Sequence, residues 1–361
     1  MTRPTVPAEA ELRPVIDALV EPEIGRTLGE LQMVKSVWVS DAGLIDVQLE
    51  LPTPAYPQRE RLSEAVVQAV ASKFPGAPRP AVSFTWKVKG LESGGSIGLR
   101  VKNVIAVGSG KGGVGKSTVA ASLAWGLKLA GAKVGLMDAD IYGPSIPHML
   151  GVTGRPEVVE EFGPQGQSIR RMGAIDVDGL KVISIGFLVG ADEPVIVRGP
   201  ILHRTIQQFL QETAWGELDY LIIDLPPGTG DIALTLSQLM GLSGAVVVCT
   251  PQQVALLDAV KAINMFRKVK IPVLGMVENM TGEVFGRGGA QQKAAEMGVP
   301  FLGEIPIHSQ VRVNGDAGQI AANFAPSSPV REALQGMCER VAMQIARELL
   351  STPRMPTLEI L

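Results

Sequence analysis

Val104-Ile105-Ala106-Val107-Gly108-Ser109-Gly110-Lys111-Gly112-Gly113-Val114-Gly115-Lys116-Ser117-Thr118 runs from an apolar stretch, through a glycine-rich turn, into a segment that suits a helix. From Gly110 to Ser117 it fits the pattern G-x-x-x-x-G-K-[ST]. Glycines let backbone N–H groups turn inward and approach phosphate oxygens without a Cβ in the way. A helix starting near Gly115 points its free N-terminal donors at the same anion. Lys116 supplies a point charge for β- and γ-phosphates, and Ser117 a hydroxyl suited to Mg2+. Gly110, Lys111, Gly112, Gly113, Val114, Gly115, Lys116, Ser117 and Thr118 are therefore the candidate nucleotide-binding residues.

Outward from this loop, short apolar runs alternate with helical patterns. Strands are predicted at 104–109, 134–138, 182–185, 220–224, 245–250 and 273–278, and helices at 117–130, 200–213, 232–240 and 254–269. Such alternation predicts an α/β fold with a doubly wound, mostly parallel sheet. Sites in such sheets gather at the carboxyl ends of strands. Two acid clusters stand at predicted strand ends: Asp138-Ala139-Asp140, and Asp224-Leu225-Pro226-Pro227-Gly228-Thr229-Gly230-Asp231. Asp224, after Leu221-Ile222-Ile223, has the form of an acid that helps hold Mg2+. Asp138, at its strand end, has a second reading as a helix cap or strand-end turn residue. The stretch Glu157–Gly166, rich in acids, Gly and Pro, reads as an exposed loop.

Ahead of this domain, residues 12 to about 86 read as a small α+β unit. Two strands, Ser36–Val39 and Ile45–Leu51, flank a turn at Asp41-Ala42-Gly43, and Arg59–Phe74 repeats apolar residues every four positions. Ser93-Gly94-Gly95-Ser96 has linker composition. The expected division is a small domain over 1–88, a linker over 89–100 and a phosphate-loop domain over 101–361. The formal charge of −3 gives no general attraction to nucleic acid or anionic lipid. Two distant cysteines, Cys249 and Cys338, argue for a reducing compartment, hence the cytoplasm, and read as buried core residues. His148, His203 and His308 have no metal-ligand spacing. Met1–Leu12 is not a secretory signal, and no apolar run approaches the ~20 residues of a membrane span.

The early lysine, Lys111 in Gly110-Lys111-Gly112-Gly113-Val114-Gly115-Lys116-Ser117, resembles the deviant phosphate loop of MinD, ParA and nitrogenase iron protein. That resemblance implies a homodimer around two ATP molecules, with Lys111 reaching the partner's nucleotide, Asp140 orienting the attacking water, and Asp138 supporting Mg2+ or the switch loop. It also implies that Asn279, at the end of the predicted strand Val273–Glu278, hydrogen-bonds adenine, with Gly303-Glu304-Ile305-Pro306 and Arg312 opposite. Gly228 is expected to donate its N–H to the γ-phosphate. Asp140-Ile141-Tyr142-Gly143-Pro144-Ser145, Arg198-Gly199-Pro200, the Asp224–Asp231 string, Thr250-Pro251-Gln252 and Val277-Glu278-Asn279-Met280 narrow the resemblance to the Mrp/ApbC ATPases, the iron–sulfur cluster carrier proteins. Glu21-Pro22-Glu23-Ile24-Gly25, Leu31-Gln32-Met33-Val34 and Thr53-Pro54-Ala55-Tyr56-Pro57 resemble the small iron–sulfur-assembly domain often fused to them.

The resemblance implies a dimeric ATP hydrolase, using ATP and Mg2+, that carries an iron–sulfur cluster to apo client proteins or works with assembly factors. The family's usual Cys-x-x-Cys pair is absent from the segment after Asn279-Met280, and Tyr56 stands where the small domain commonly has cysteine. Two other functions stay open: a metal-free, ATP-dependent dimeric switch that recruits a partner, and a MinD-like positioning ATPase. The last would use the amphipathic stretch Val330–Leu350 as a membrane anchor. Its arginines and glutamates balance, which favours packing in a core and no membrane partner.

Overall fold

The computed structural model describes residues 6–91, 97–140, 143–162, 167–188, 199–228 and 230–351. Ile141, Tyr142, Arg198, Thr229 and the Ser93-Gly94-Gly95-Ser96 linker lie outside them. The chain divides into two compact units: Met1–Lys89 with Ala342–Leu361, and Gly90–Val341. Placing Ala342–Ser351 with the small unit differs from the expected division, which kept them with the phosphate-loop domain.

The small unit contains α1 (Glu9–Asp17), β1 (Val34–Val39), β2 (Ile45–Leu51), α2 (Arg59–Lys73) and β3 (Ala81–Trp86). β1 and β2 form the predicted hairpin, with Val37 opposite Val47, and β3 runs parallel to β2. Along β2 the residues Ile45, Val47, Leu49 and Leu51 are buried while Asp46 is exposed, the period of two expected of a strand with one covered face. Leu62, Val66 and Val70 of α2 pack into the same core, as their spacing predicts. Met343 and Ala346, from the end of the chain, complete it.

The larger unit contains, in order, β4 (Val101–Gly108), α3 (Lys116–Leu129), β5 (Val134–Asp138), α4 (Ile146–Met149), β6 (Val158–Phe162), β7 (Ser168–Gly173), β8 (Ile175–Val177) and β9 (Leu180–Ser184). It continues with α5 (Gly199–Gln211), β10 (Thr213–Ala214), β11 (Leu218–Asp224), α6 (Gly230–Leu239), β12 (Gly244–Cys249) and α7 (Gln253–Lys268). β13 (Val273–Thr281), α8 (Gly289–Met297), β14 (Phe301–Pro306), α9 (Ser309–Asp316) and α10 (Arg331–Ser351) follow. α10 gives residues to both units. Val330, just ahead of it, and its apolar positions Leu334, Met337, Val341 and Ile345 are buried, the core packing expected of them, while Leu349 is half-buried.

An eight-stranded sheet has the order β14-β13-β12-β4-β11-β5-β9-β8, with every pairing parallel except β8 with β9. Neighbours along a strand point to opposite faces. On β4, Val104, Ile105, Ala106 and Val107 are all fully buried, so both faces of the sheet are covered. Burying one valine or isoleucine stabilises by about 1.5–3 kcal/mol, which explains why continuous apolar runs mark these central strands. The stretch expected as a loop at Glu157–Gly166 instead begins with β6, paired antiparallel to β7. Val158, Val159 and Phe162 are placed along that strand, and composition alone concealed them.

Candidate nucleotide site

β4 lies between β12 and β11, so the loop after it opens where the chain crosses to either side of the sheet. Gly110 is required by close approach: a Cβ there would lie 2.0 Å from the backbone oxygen of Asp258 on α7. Gly115, at φ 78°, adopts the left-handed conformation that favours glycine and begins α3. No side chain caps this helix, and its first turn holds no acid. The first helical bond runs from Val119 N–H to the Gly115 carbonyl, so the amides of Lys116, Ser117 and Thr118 have no partner within the helix. Such an end suits an anion.

The strand-end acids sit beside this loop. Asp224 is in register with Val107 of β4 and with Asp138 of β5. The buried Lys116 ammonium stands 2.6 Å from Asp224 Oδ1, 3.6 Å from Asp140 Oδ2 and 3.2 Å from Ser117 Oγ. Four predicted residues thus meet around one nitrogen. Asp138 Oδ2 accepts from Ser184 Oγ at 2.9 Å and from Ile146 N–H at 3.3 Å, and its Oδ1 accepts from Asp140 N–H at 3.1 Å. It ties β5 to β9 and caps α4, so both uses foreseen for it at the sequence level remain compatible. Burial, then the neighbouring Asp224 charge, pushes the Asp138 carboxyl up to about 7. Burial also raises Asp224, against the pull of Lys116.

Asp224 Oδ2 is buried without a hydrogen-bond partner. An orphaned carboxylate oxygen next to a serine hydroxyl is a hard-oxygen donor set of the kind magnesium takes together with phosphates. Among the described residues, no three His, Cys, Asp or Glu side chains form a metal-binding group on their own.

A cleft of about 680 Å³ adjoins α3 and is lined by Thr118, Asn279, Met280, Ile305, Pro306 and Arg312, among others. Three of the residues expected opposite Asn279 are therefore present. Gly303 and Glu304 are not: Gly303 lies against Arg340, and Glu304 pairs with Arg287 at 3.3 Å. Asn279 itself donates from Nδ2 to the Val114 carbonyl at 2.9 Å. Gly228 N–H, expected to face phosphate, donates to the Ser109 carbonyl at 3.1 Å. Lys111 is half-buried and forms no ion pair among the described residues. Sequence reading missed His148 and Met149 of α4 and His308 before α9, which also line the cleft. No periodic signal marks elements so short.

Both cysteines are buried. Burial raises the Cys249 thiol to about 12 and Cys338 higher still, so neither is a thiolate at neutral pH. Tyr56 is buried in the small unit and donates its hydroxyl to Glu21.

Fold and site together define a P-loop NTPase of the MinD/ParA type. A family model described as NUBPL iron-transfer P-loop NTPase matches residues 100–342, and one described as iron-sulfur cluster assembly protein matches residues 9–84. An iron-sulfur cluster carrier protein of Synechocystis is 42% identical over 349 residues, covering 93% of this chain and 96% of that one. Its counterpart in Deinococcus radiodurans is 43% identical, covering 92% and 94%. The chain therefore belongs to the iron–sulfur cluster carrier family of P-loop NTPases. A nucleotide-binding protein from Archaeoglobus fulgidus, solved in complex with ADP, is 39% identical over 63% of this chain and 90% of its own, with a TM-score of 0.52. The cell division ATPase MinD of Pyrococcus furiosus, 24% identical with a TM-score of 0.51 over 66% of this chain and 98% of its own, shares the fold. No described helix is long and apolar enough to cross a membrane.

Proposed function

We propose that the chain binds and hydrolyses MgATP as a homodimer and uses that cycle in passing iron–sulfur clusters to apoproteins. The carrying observation is the meeting of Lys116, Ser117, Asp140 and Asp224 beside the open N-terminus of α3. In this reading Lys116 exchanges its carboxylate partners for the β- and γ-phosphates. The amides of residues 110–118 cradle the same anion. Ser117 and Asp224 hold magnesium, with Asp138 behind them, and Asp140 orients the attacking water. Bound magnesium offsets phosphate charge and draws electron density from the γ-phosphate. Lys111, which forms no ion pair among the described residues, reaches the nucleotide of a second copy in this reading, where it stabilises charge developing in the transition state.

Calorimetry with MgATP and a phosphate-release assay test this reading. The wild-type chain is expected to bind and turn over slowly, and Lys116→Ala to lose binding. Near-normal ATP affinity in that variant refutes the assignment.

The buried, protonated cysteines favour a second reading of the cluster step, in which the chain acts as a nucleotide-dependent switch or scaffold without ligating the cluster through its own thiols. Anaerobic reconstitution with iron and sulfide separates the two. A dimer that gains cluster absorbance and stoichiometric iron supports direct carriage; one that gains neither supports the switch.

A further inference from the structure

We infer that Asn279 fastens the phosphate loop to the base cleft, its amide nitrogen holding the loop and its amide oxygen left for the base. This rests on the nucleotide-site reading above and adds a positioning role to the base contact expected of this residue. Asn279 stands near the end of β13 and is 6% exposed. The partner of its Nδ2 is a carbonyl, Val114 O at 2.9 Å. A carbonyl only accepts, so the nitrogen end of the amide must face the loop.

Gly115 makes this approach possible. A Cβ there would lie 2.2 Å from Asn279 Nδ2 and 3.4 Å from Met280 Cε. Met280 itself has φ 60°, a left-handed conformation that is uncommon for a side chain of its kind. The preceding residue anchors the strand end. Glu278 is fully buried, and its carboxylate accepts from Gly288 N–H at 2.6 Å and from Ala290 N–H, at the start of α8. A fixed strand end therefore grips the loop two residues before Lys116.

One of the two N–H groups of Nδ2 is engaged by Val114, and the amide oxygen is the acceptor that Asn279 brings to the cleft it lines. That oxygen suits the 6-amino group of adenine.

The test is calorimetry on the full chain and on Asn279→Ala with MgATP, MgITP and magnesium tripolyphosphate, which has no base. A buried neutral hydrogen bond is worth about fivefold in an equilibrium. Asn279→Ala is expected to bind tripolyphosphate about fivefold more weakly and to narrow the preference for ATP over ITP. Hydrogen exchange at the amides of residues 113–117, without nucleotide, is expected to speed up by a similar factor. Asn279→Ser, which keeps a polar group at the buried position but cannot reach Val114, is expected to behave alike. Unchanged tripolyphosphate affinity, or unchanged exchange in nucleotide-free protein, overturns the inference and leaves Asn279 as a base contact alone. Failure of the wild-type chain to bind ATP at all would instead remove the nucleotide-site reading.

Discussion

Replacing Gly110 by alanine tests whether the loop is built by close backbone approach. The added Cβ would stand 2.0 Å from the Asp258 carbonyl oxygen and 2.2 Å from its carbon. Both atoms belong to the backbone of α7, so no rotamer change relieves the contact. Carbon and oxygen need about 3.2 Å or more, so the loop or the helix must move by roughly 1 Å. Overpacking of this kind costs about 1–3 kcal/mol, and a backbone clash belongs at the top of that range. For a unit of this size, about 3 kcal/mol lowers the melting temperature by about 6–12 °C. Gly112→Ala is the control. Its Cβ would meet nothing nearer than Pro227 Cγ at 3.9 Å, and Gly112 is not among the positive-φ residues. A shift under about 2 °C is expected there. Thermal melts of both variants without nucleotide decide the matter. If Gly112→Ala destabilises as much as Gly110→Ala, the loop is not braced against α7 as described.

Lys111→Ala is expected to leave ATP affinity within about twofold while turnover falls by at least about a hundredfold, as when a charge acting only in the transition state is removed. Unchanged phosphate release would discard its role toward a second copy. The raised thiols predict that iodoacetamide labels neither Cys249 nor Cys338 in the folded chain at pH 8. A thiol held near 12 is protonated there, and its thiolate fraction rises only as pH climbs toward that value. Mass spectrometry should find both labelled in denaturant; rapid labelling of Cys249 in native protein at pH 8 would contradict its burial.

The strands around the site were legible because a parallel sheet covered on both faces needs unbroken apolar runs, and β4, β5, β11 and β12 have them. The phosphate loop and the acids Asp138 and Asp224 were legible for a related reason: they stand directly after those runs. β6 was hidden by its acids and flanking proline and glycine. α4 and α9 were too short for a helical period to emerge. The engagement of Gly228 with Ser109, and of Asn279 with Val114, is invisible in sequence because each joins segments far apart in the chain. Periodicity in α10 correctly signalled a buried face but carried no information about which core would receive it. Its last ten residues went to the small unit.

That allocation sets an order of events during synthesis. The first 89 residues leave the ribosome with their sheet and two helices encoded, yet Met343 and Ala346, which fill their core, are made some 250 residues later. The small unit is thus translated ahead of the phosphate-loop unit but completed after it. Until then its uncovered apolar surface is a natural target for chaperones.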